Sequence, residues 1–452
     1  MDPLPSGSIR KTGSERRRLI IAEIVSCRKQ NRLQKIAIIG TGIAGMSCGW
    51  FLHKDFDLTV YEALNYAGGH TNTVSVSEEE KEICFDTGFM VYNHVTYPLL
   101  TKLFEILGVE TVKTSMSFSV QHVPARLEYC SAGLNGLYAQ RKNIFSPRFT
   151  KMLWQVNRFN REAVRLLENN LEIENKTLAE FCAEKKLGQD FLHRYLIPMS
   201  AAVWSAPPAK MLEFPAQSLV RFFHNHGFLG LHTQHQWYTV AGGSRNYRDK
   251  IIAPFREKIR LNTPVSRVRK KNGKVVVRIS NGEEEIFDKV IFACHADQAL
   301  RLLHEPSLEE QRLLSSFKYQ FNKATVHTDE SVMPGNKRTW SSWNYRIVNK
   351  GKAETATTIY WMNSLQSCSE RKNYFVSIND AGEIYPKKII STIDYEHPLF
   401  DIRAVNAQKE LPRLNEKGPL YYCGSYFRYG FHEDALMSSV DLCKHLLKRE
   451  VL

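Results

Sequence analysis

Three closely spaced glycines open the part of the sequence that can carry chemistry. Gly40, Gly42 and Gly45 have the spacing G-x-G-x-x-G and directly follow the apolar run at residues 36–39. In a strand–turn–helix unit, the first glycine permits a tight turn, the second lets backbone approach a pyrophosphate, and the third lets the helix pack on the strand. The helix N-terminus then offers free N–H groups to the phosphates. The pattern predicts a dinucleotide-binding site, with a tight loop as the alternative for the glycines alone.

An acidic residue lies at the distance that such a site requires. The segment DLTVYEA ends near Glu62, 22 residues after Gly40, and reads as a second buried strand. A carboxylate at this position bonds ribose hydroxyls and repels a 2′-phosphate. Gly68 and Gly69 then form a second close-approach loop, which a nicotinamide dehydrogenase does not need.

The composition limits the classes of protein to consider. The chain has 452 residues and a net charge of +14, and no apolar run approaches the roughly 20 residues that span a bilayer. Its nine cysteines are dispersed and include no C-x-x-C pair, which favours reduced thiols in the cytoplasm over disulfides or a zinc site.

Much of the excess positive charge lies at the start of the chain. Residues 1–35 contain nine Lys or Arg and three Asp or Glu, without interleaved aromatic residues. We interpret residues 1–34 as a flexible basic extension and expect no nucleic-acid partner. Weak peripheral contact with an anionic membrane surface is the alternative. Export is disfavoured, because Glu23 interrupts the short apolar stretch that precedes Cys27.

Taken together, the opening motifs resemble those of the flavin-containing amine oxidoreductase superfamily, which binds FAD. The resemblance begins with G-x-G-x-x-G, the acidic strand end, the G-G-H triplet ending at His70 and the D-T-G turn at residues 86–88. It continues through QWYTVAGGSRNY, ACHADQALRLL and CGSYFRYGFHEDALMSSVDL, and runs from about residue 35 to residue 448. Within the superfamily, the chain is most similar to a bacterial amine-oxidase-like subgroup that also resembles the N-terminal module of plant cyclopropane fatty acid synthases.

The pattern of apolar residues predicts how the chain is organised. We predict an α/β fold in which a Rossmann-like FAD-binding domain is interleaved with an α+β substrate domain. Residues 35–120, 236–306 and 400–452 are assigned to the FAD-binding domain, and residues 121–235 and 307–399 to the substrate domain. Helical spacing predicts a helix at about 97–107 and long helices within 147–193. Alternation at about 311–394 predicts a second sheet, and a terminal amphipathic helix starts near residue 433.

The resemblance implies which residues contact the cofactor. We predict noncovalent FAD, because no cysteine lies between Cys368 and Cys423, where related enzymes attach their flavin. The residues expected to hold it are Gly40, Gly42, Ala44, Gly45, Glu62, Gly69, His70, Val265, Gly424, Glu433 and Ala435.

Three residues are candidates for a direct part in catalysis. Phe431 falls where the superfamily places an aromatic residue facing the flavin, with a core aromatic as the alternative. Lys323 lies on the strand where amine oxidases carry a lysine that holds water, although Asn322 is an equally good polar candidate. His432, with the two carboxylates after it, forms an acid–base cluster or, alternatively, simply starts a helix. The four histidines between residues 224 and 235 lack the companion ligands of a metal site, and no metal is expected.

The sequence therefore predicts an FAD-dependent oxidoreductase. It would transfer a hydride from a C–N or C–C bond of an apolar small molecule, an acyl lipid among them, to the flavin. Two alternatives stay open: a non-redox flavoprotein that assists a lipid-modifying enzyme, and an NAD-dependent dehydrogenase. The oligomeric state is not predicted.

Overall fold

A computed structural model of the chain describes residues 33–169, 175–230, 233–351 and 353–452. Nearly all of the predicted basic extension, with Cys27, and also His232 lie outside the described residues. The strands are β1 (Lys35–Ile39), β2 (Asp57–Tyr61), β3 (Thr73–Glu78), β4 (Lys81–Asp86), β5 (Tyr92–Asn93), β6 (Thr111–Thr114), β7 (Phe118–His122), β8 (Leu127–Cys130), β9 (Trp237–Val240), β10 (Ile259–Arg260), β11 (Val265–Lys271), β12 (Lys274–Ile279), β13 (Glu284–Phe287), β14 (Lys289–Phe292), β15 (Lys318–His327), β16 (Trp343–Lys350), β17 (Ala353–Trp361), β18 (Phe375–Ile378), β19 (Ile389–Leu399) and β20 (Leu420–Tyr422). The helices are α1 (Ile43–Leu52), α2 (Pro98–Leu107), α3 (Gly133–Leu137), α4 (Pro147–Glu168), α5 (Leu178–Glu184), α6 (Gln189–Phe191), α7 (Ile197–Trp204), α8 (Pro208–Leu212), α9 (Ala216–Asn225), α10 (Arg245–Ile252), α11 (Ala296–Leu302), α12 (Leu308–Leu314), α13 (Met362–Gln366), α14 (Ile402–Gln408) and α15 (His432–Leu447).

A parallel five-stranded sheet contains the glycine motif. Its strand order is β10–β2–β1–β14–β20, so β1 is paired on both sides. The side chains of Ile36, Ala37 and Ile38 are completely buried, as the continuous apolar run predicts for a strand covered on both faces. A β-carbon on Gly45 would lie 2.0 Å from the carbonyl oxygen of Gly40. The tight contact between α1 and the turn therefore requires glycine at position 45.

A second sheet has seven strands, in the order β19–β15–β18–β17–β16–β7–β8. Most of its pairs are antiparallel, while β16 and β7 are parallel. Five of its strands lie within residues 318–399, close to the segment where alternation predicts a sheet. The hairpin β7–β8 joins from residues 118–130. The division into an FAD-binding domain and a substrate domain stays a prediction.

Two helices expected from the sequence lie against each other in the structure. α2 runs from Pro98 to Leu107 and ends at Gly108, whose φ of 59° is left-handed. The last helix, α15, contacts both α1 and α2. It begins at His432, one residue before the predicted start. Both helices thus lie close to their predicted positions.

Some general features concern the whole described chain. Among the described residues, no helix combines the length and apolar composition needed to cross a bilayer. The eight cysteines in this part of the chain are free thiols. No group of three or more His, Cys, Asp or Glu residues within the described ranges is arranged to hold a metal ion.

Candidate cofactor and substrate site

A cavity of about 680 Å³ brings together most of the predicted site residues. Its lining comes from segments that directly follow strands of the parallel sheet, from strands of the seven-stranded sheet, and from helices and loops. Those predicted from the sequence are Gly40, Gly42, Ala44, Glu62, Gly69, His70, Gly424, Phe431, His432 and Ala435. Four predicted residues do not line it, namely Gly45, Val265, Lys323 and Glu433.

A hydrogen-bond network fixes the loop after β1. One carboxylate oxygen of Glu62 accepts the backbone N–H of Thr41 at 3.0 Å and also the Thr41 hydroxyl, and the other accepts the N–H of Leu64 at 2.9 Å. The Thr41 hydroxyl in turn accepts the N–H of Gly68 at 3.1 Å. Thr41 thus ties the glycine turn, the acidic strand end and the second glycine loop together. The glycine motif gives no signal for Thr41, because this residue occupies an unspecified position of G-x-G-x-x-G.

Gly42 leaves open the space that a phosphate group needs. No atom lies within 4 Å of a β-carbon built on Gly42, whereas one built on Gly69 would be 3.3 Å from the Gly42 Cα. The backbone here has φ −58°, and α1 begins after it without a side-chain cap. The first N–H groups of α1 are therefore available to an anion in the cavity.

Buried polar atoms without partners also line the cavity. The Nε2 of His70, the Nε1 of Trp343 and the hydroxyl of Tyr426 have no hydrogen-bond partner in the described part of the chain. Such atoms are rare in folded proteins because an unpaired buried polar group is costly. The residues present thus fit a polar ligand that would supply the missing partners.

The start of α15 supplies another wall of the cavity. Ala435 lines it, and its N–H makes the first helical bond, to the carbonyl oxygen of Phe431 at 3.1 Å. Gly424 also lines it and donates its N–H to the Ser438 hydroxyl at 2.8 Å. Glu433 points elsewhere: its two oxygens accept the N–H groups of Leu99 and Leu100 at 2.8 and 3.0 Å. This carboxylate caps α2 and does not line the cavity, and a contact between Glu433 and the cofactor stays a prediction.

His432 is an uncharged member of the cavity wall. Its ring stacks on Phe89 with centroids 3.9 Å apart, and its Nε2 lies 2.6 Å from the Tyr247 hydroxyl and 3.2 Å from the Thr71 hydroxyl. Burial lowers the pKa of His432 to about 3. The imidazole is therefore neutral at physiological pH and is held in one orientation by three neighbours.

A second group of neutral histidines lies near His70. The His70 ring stacks on Tyr395 at 4.7 Å and meets the ring of His397 edge-on at 5.1 Å. Burial holds the pKa of His70 well below its usual range and lowers that of His397 to about 4. Asn322 reaches this group from β15, with its Nδ2 2.7 Å from the Nδ1 of His397.

Lys323, the next residue on β15, points the other way. Its side chain is exposed, whereas that of Asn322 is completely buried. Because side chains alternate between the two faces of a strand, a shift of one residue exchanges the two. The structure therefore corrects the placement of Lys323 and puts the alternative, Asn322, behind the cavity wall.

Val265 also lies away from the cavity. It begins β11, pairs with Ile279 and packs against the hydrophobic core. The neighbouring residue Thr263 donates its N–H to the carbonyl oxygen of Glu62 at 2.8 Å. The start of this segment thus lies beside Glu62, but Val265, which is predicted to contact the cofactor, does not line the cavity.

Aromatic side chains form another part of the wall. Phe431 stacks on Phe222 with centroids 4.9 Å apart, and Trp204 lies 4.7 Å from Phe222. His226, one of the four histidines, stacks on Phe222 at 3.9 Å, and burial lowers its pKa to about 4. Trp204 and Phe222 are two of many aromatic residues in this part of the sequence, and no sequence signal distinguishes them as lining residues. The helical spacing of α9 does not reveal which face meets the cavity.

The charges around the cavity all have one sign. Among the described residues that line it there is no Lys or Arg, while the carboxylates of Glu62, Asp394 and Glu396 do line it. One cysteine, Cys294, also lines it, and burial raises the pKa of its thiol to about 12. That thiol stays protonated, so it is a poor nucleophile.

Comparison with known proteins identifies the family. The chain belongs to the flavin-containing amine oxidoreductases, whose family model matches residues 43–377. FAD is thus the cofactor, bound noncovalently as is typical of the family, and the protein is an FAD-dependent oxidoreductase. This assignment decides against the nicotinamide alternative. The glycine turn, the space at Gly42 and the unpaired polar atoms are the features of this chain that fit FAD.

Solved structures show the same fold at low sequence identity. A CLA-producing fatty acid isomerase from P. acnes is 14% identical with a TM-score of 0.64, and the match covers 90% of this chain and 97% of that one. Cyclohexylamine oxidase from Brevibacterium oxydans is 14% identical with a TM-score of 0.64, covering 92% and 100%. Putrescine oxidase bound to putrescine is 13% identical with a TM-score of 0.63, covering 92% and 99%. No curated protein sequence matches the chain.

Proposed function

We infer that this protein oxidises an apolar substrate by removing a hydride from a C–N or C–C bond. The observation that carries the proposal is that one cavity contains both the residues that fit a dinucleotide and the aromatic side chains of Trp204, Phe222 and Phe431. When bound here, FAD would supply the acceptor for the hydride, and oxygen or another acceptor would reoxidise it. The chain itself binds and orients both reactants.

The residues around the cavity divide this work between them. Thr41 and Glu62 hold the loop that faces the dinucleotide, and the first turn of α1 offers N–H groups to its phosphates. The aromatic side chains exclude water and provide an apolar surface for the substrate. His432 is neutral and already hydrogen-bonded, so it suits a positioning role better than that of a proton donor.

The charges that line the cavity limit which classes of substrate it can bind. A free carboxylate would find no lysine or arginine among the described lining residues, and burial of an unpaired charge is costly. We therefore favour an acyl chain whose carboxyl group is esterified, as in a phospholipid. The second candidate is an amine, because the carboxylates of Asp394 and Glu396 attract a cation to the cavity.

Flavin reduction without oxygen tests the proposal. The purified protein, loaded with FAD, would be mixed anaerobically with phospholipids, with their free fatty acids and with apolar primary amines. We expect bleaching of the flavin absorbance by an esterified lipid or an amine and none by the free acids. If none of these compounds reduces the flavin, the oxidase proposal fails and the non-redox alternative gains support.

Asn322 and Lys323 form a matched pair for the same assay. Asn322→Ala removes the partner of His397 behind the cavity wall, and we expect flavin reduction by an active substrate to slow by about tenfold. Lys323→Ala changes only an exposed side chain and should leave the rate unchanged. The opposite ranking of the two variants would show that Lys323 acts at the flavin after all.

We also propose that the protein acts in the cytoplasm. The support is the dispersed set of cysteines, of which the eight described are free thiols. Fractionation of cells, followed by titration of the thiols, tests this. A secreted or disulfide-bonded form would contradict it.

A further inference from the structure

One continuous stretch of the chain is exclusively basic. Residues 129–161 contain six Lys or Arg and no Asp or Glu. The stretch includes α3, a 3₁₀ turn at Arg141–Phe145 and most of α4. Within the described residues it lies outside the cofactor cavity, because none of its side chains lines that cavity.

Large apolar side chains in this stretch face solvent. Phe145 is 86% exposed, Trp154 is 54% exposed and Ile144 is 50% exposed. Together with Pro147 and Lys151 they line one shallow depression, which we call the 144–154 surface. The opposite face of α4 is buried in the core, so Trp154 is not needed there for packing. Isolated exposed apolar residues are common, but three large ones around one depression indicate an interaction surface.

A basic cavity borders the 144–154 surface. Its volume is about 750 Å³, and Ser146 lines both it and the surface. Arg126, Lys142, Arg148 and Arg194 also line it, against two carboxylates. One of these carboxylates, Asp190, is already paired with Arg148 at 2.5 Å and with Arg194 at 3.3 Å.

Two of the cations remain available to a ligand. Arg126 and Lys142 make no ion pair with any residue in the described ranges, and Lys142 is exposed. A phosphate group in the basic cavity would therefore meet positive charge that the protein leaves unneutralised.

We propose that the 144–154 surface and the basic cavity dock the protein on an anionic phospholipid membrane. Phe145 and Trp154 enter the interfacial layer, where aromatic side chains are favoured, while Lys142 and Lys151 stay at the level of the phosphates. The basic cavity receives a lipid headgroup. A free polyanion would match the charge but would gain nothing from the exposed rings.

Binding to vesicles tests this with the full chain loaded with FAD. The probes are vesicles of phosphatidylcholine alone and of equimolar phosphatidylcholine and phosphatidylglycerol. We expect sedimentation with the anionic vesicles and little with the neutral ones. The double variant Phe145→Ser, Trp154→Ser should bind at least about tenfold more weakly, because two apolar side chains no longer enter the interface.

Matched variants separate this surface from other sources of binding. Leu308→Ser with Tyr385→Ser changes two exposed side chains elsewhere, and Lys387→Gln with Lys388→Gln removes two exposed charges elsewhere. Both controls should bind like the wild type, whereas Lys142→Gln with Lys151→Gln should weaken anionic binding. If the Phe145, Trp154 variant binds vesicles as well as the wild type, the proposal is overturned, and residues 1–34 or bulk charge would account for the binding. Flavin absorbance retained in every variant would show that the fold is intact.

Discussion

Gly42 and Gly45 belong to one motif, yet a side chain would meet different surroundings at each. At Gly42 a β-carbon would enter empty space in the cavity, and at Gly45 it would collide with the Gly40 carbonyl oxygen at 2.0 Å. The first position therefore serves the ligand and the second serves the packing of α1 on β1.

Alanine at these two glycines should separate binding from folding. Gly42→Ala should leave the thermal stability of FAD-free protein nearly unchanged and weaken FAD binding by about tenfold or more, because the methyl group occupies the approach to the pyrophosphate. Gly45→Ala should lower the free energy of unfolding by more than about 2 kcal/mol, because backbone must move. Calorimetry and FAD titration measure both, with Gly335→Ala as a control, because a β-carbon there would meet only the Glu128 carboxylate, at 3.7 Å. Normal FAD affinity of Gly42→Ala would contradict the assignment of the phosphate site.

The sequence predicts site residues more accurately when they act through their backbone than when they act through their side chains. The sequence predicts the positions of Gly40, Gly42 and Gly69 in the site, because glycine is the residue that permits a tight turn or a close approach of backbone. The positions of side chains on strands are harder to predict, because the alternation of residues does not indicate which face of β15 is next to the cavity. Asn322 and Lys323 are adjacent on this strand and lie on opposite faces of it.

At the scale of elements, α2 and α15 are joined through one carboxylate. Glu433 lies in the first turn of α15 and caps the first turn of α2, and burial raises the pKa of this carboxyl. The contact fixes α15 against α2 and so positions Ala435 and His432 in the cavity wall.

Removal of this cap should affect stability before it affects cofactor binding. Glu433→Ala leaves one buried and one partly buried N–H group of α2 without an acceptor, and we expect the free energy of unfolding to fall by about 1–3 kcal/mol. Urea denaturation measures this, with Glu309→Ala, an exposed acidic residue in the first turn of α12, as the control. If Glu433→Ala loses FAD but keeps its unfolding midpoint, the carboxylate acts on the cofactor as the sequence first suggested.

Local signals predict helices more completely than sheets. α2 was expected at 97–107 and occupies 98–107, because Pro98 at its start and Gly108 at its end are explicit boundaries. The second sheet was expected only within 311–394, whereas β7 and β8 join it from residues 118–130. Pairing of β7 with β16 depends on contacts more than 200 residues apart, and no local pattern records them.

The whole molecule carries several histidines that folding keeps neutral. Burial lowers the pKa to about 4 for His226, His327 and His397, and to about 3 for His432. In the unfolded chain these groups titrate near 6.5, so below that pH the unfolded state binds more protons. Stability should therefore fall as the pH drops from about 6.5 towards 4. Asp434 acts in the opposite direction, because burial raises its pKa to about 7, and Glu433 acts with it, whereas His70 adds to the effect of the four histidines.

His327 offers a test of this dependence outside the cavity. Its Nε2 lies 2.8 Å from the Ser377 hydroxyl within the seven-stranded sheet. We expect His327→Gln to lower the melting temperature at about pH 7 but to reduce the loss of stability between about pH 7 and pH 5, because one titrating group is removed. His304→Gln changes an exposed histidine and should leave the slope unaltered. An unchanged slope in His327→Gln would show that this histidine is not neutral in the folded protein.

The strands of the parallel sheet leave the ribosome far apart in time. β1 and β2 emerge early and β14 later, but β20 and α15 follow only after the entire seven-stranded sheet has been made. Until then, one edge of β14 lacks the neighbour that it has in the finished protein. Gly424, Phe431 and His432 come later still, so a nascent chain has no complete site for FAD. FAD can therefore contact its full set of lining residues only once synthesis has reached the last helix.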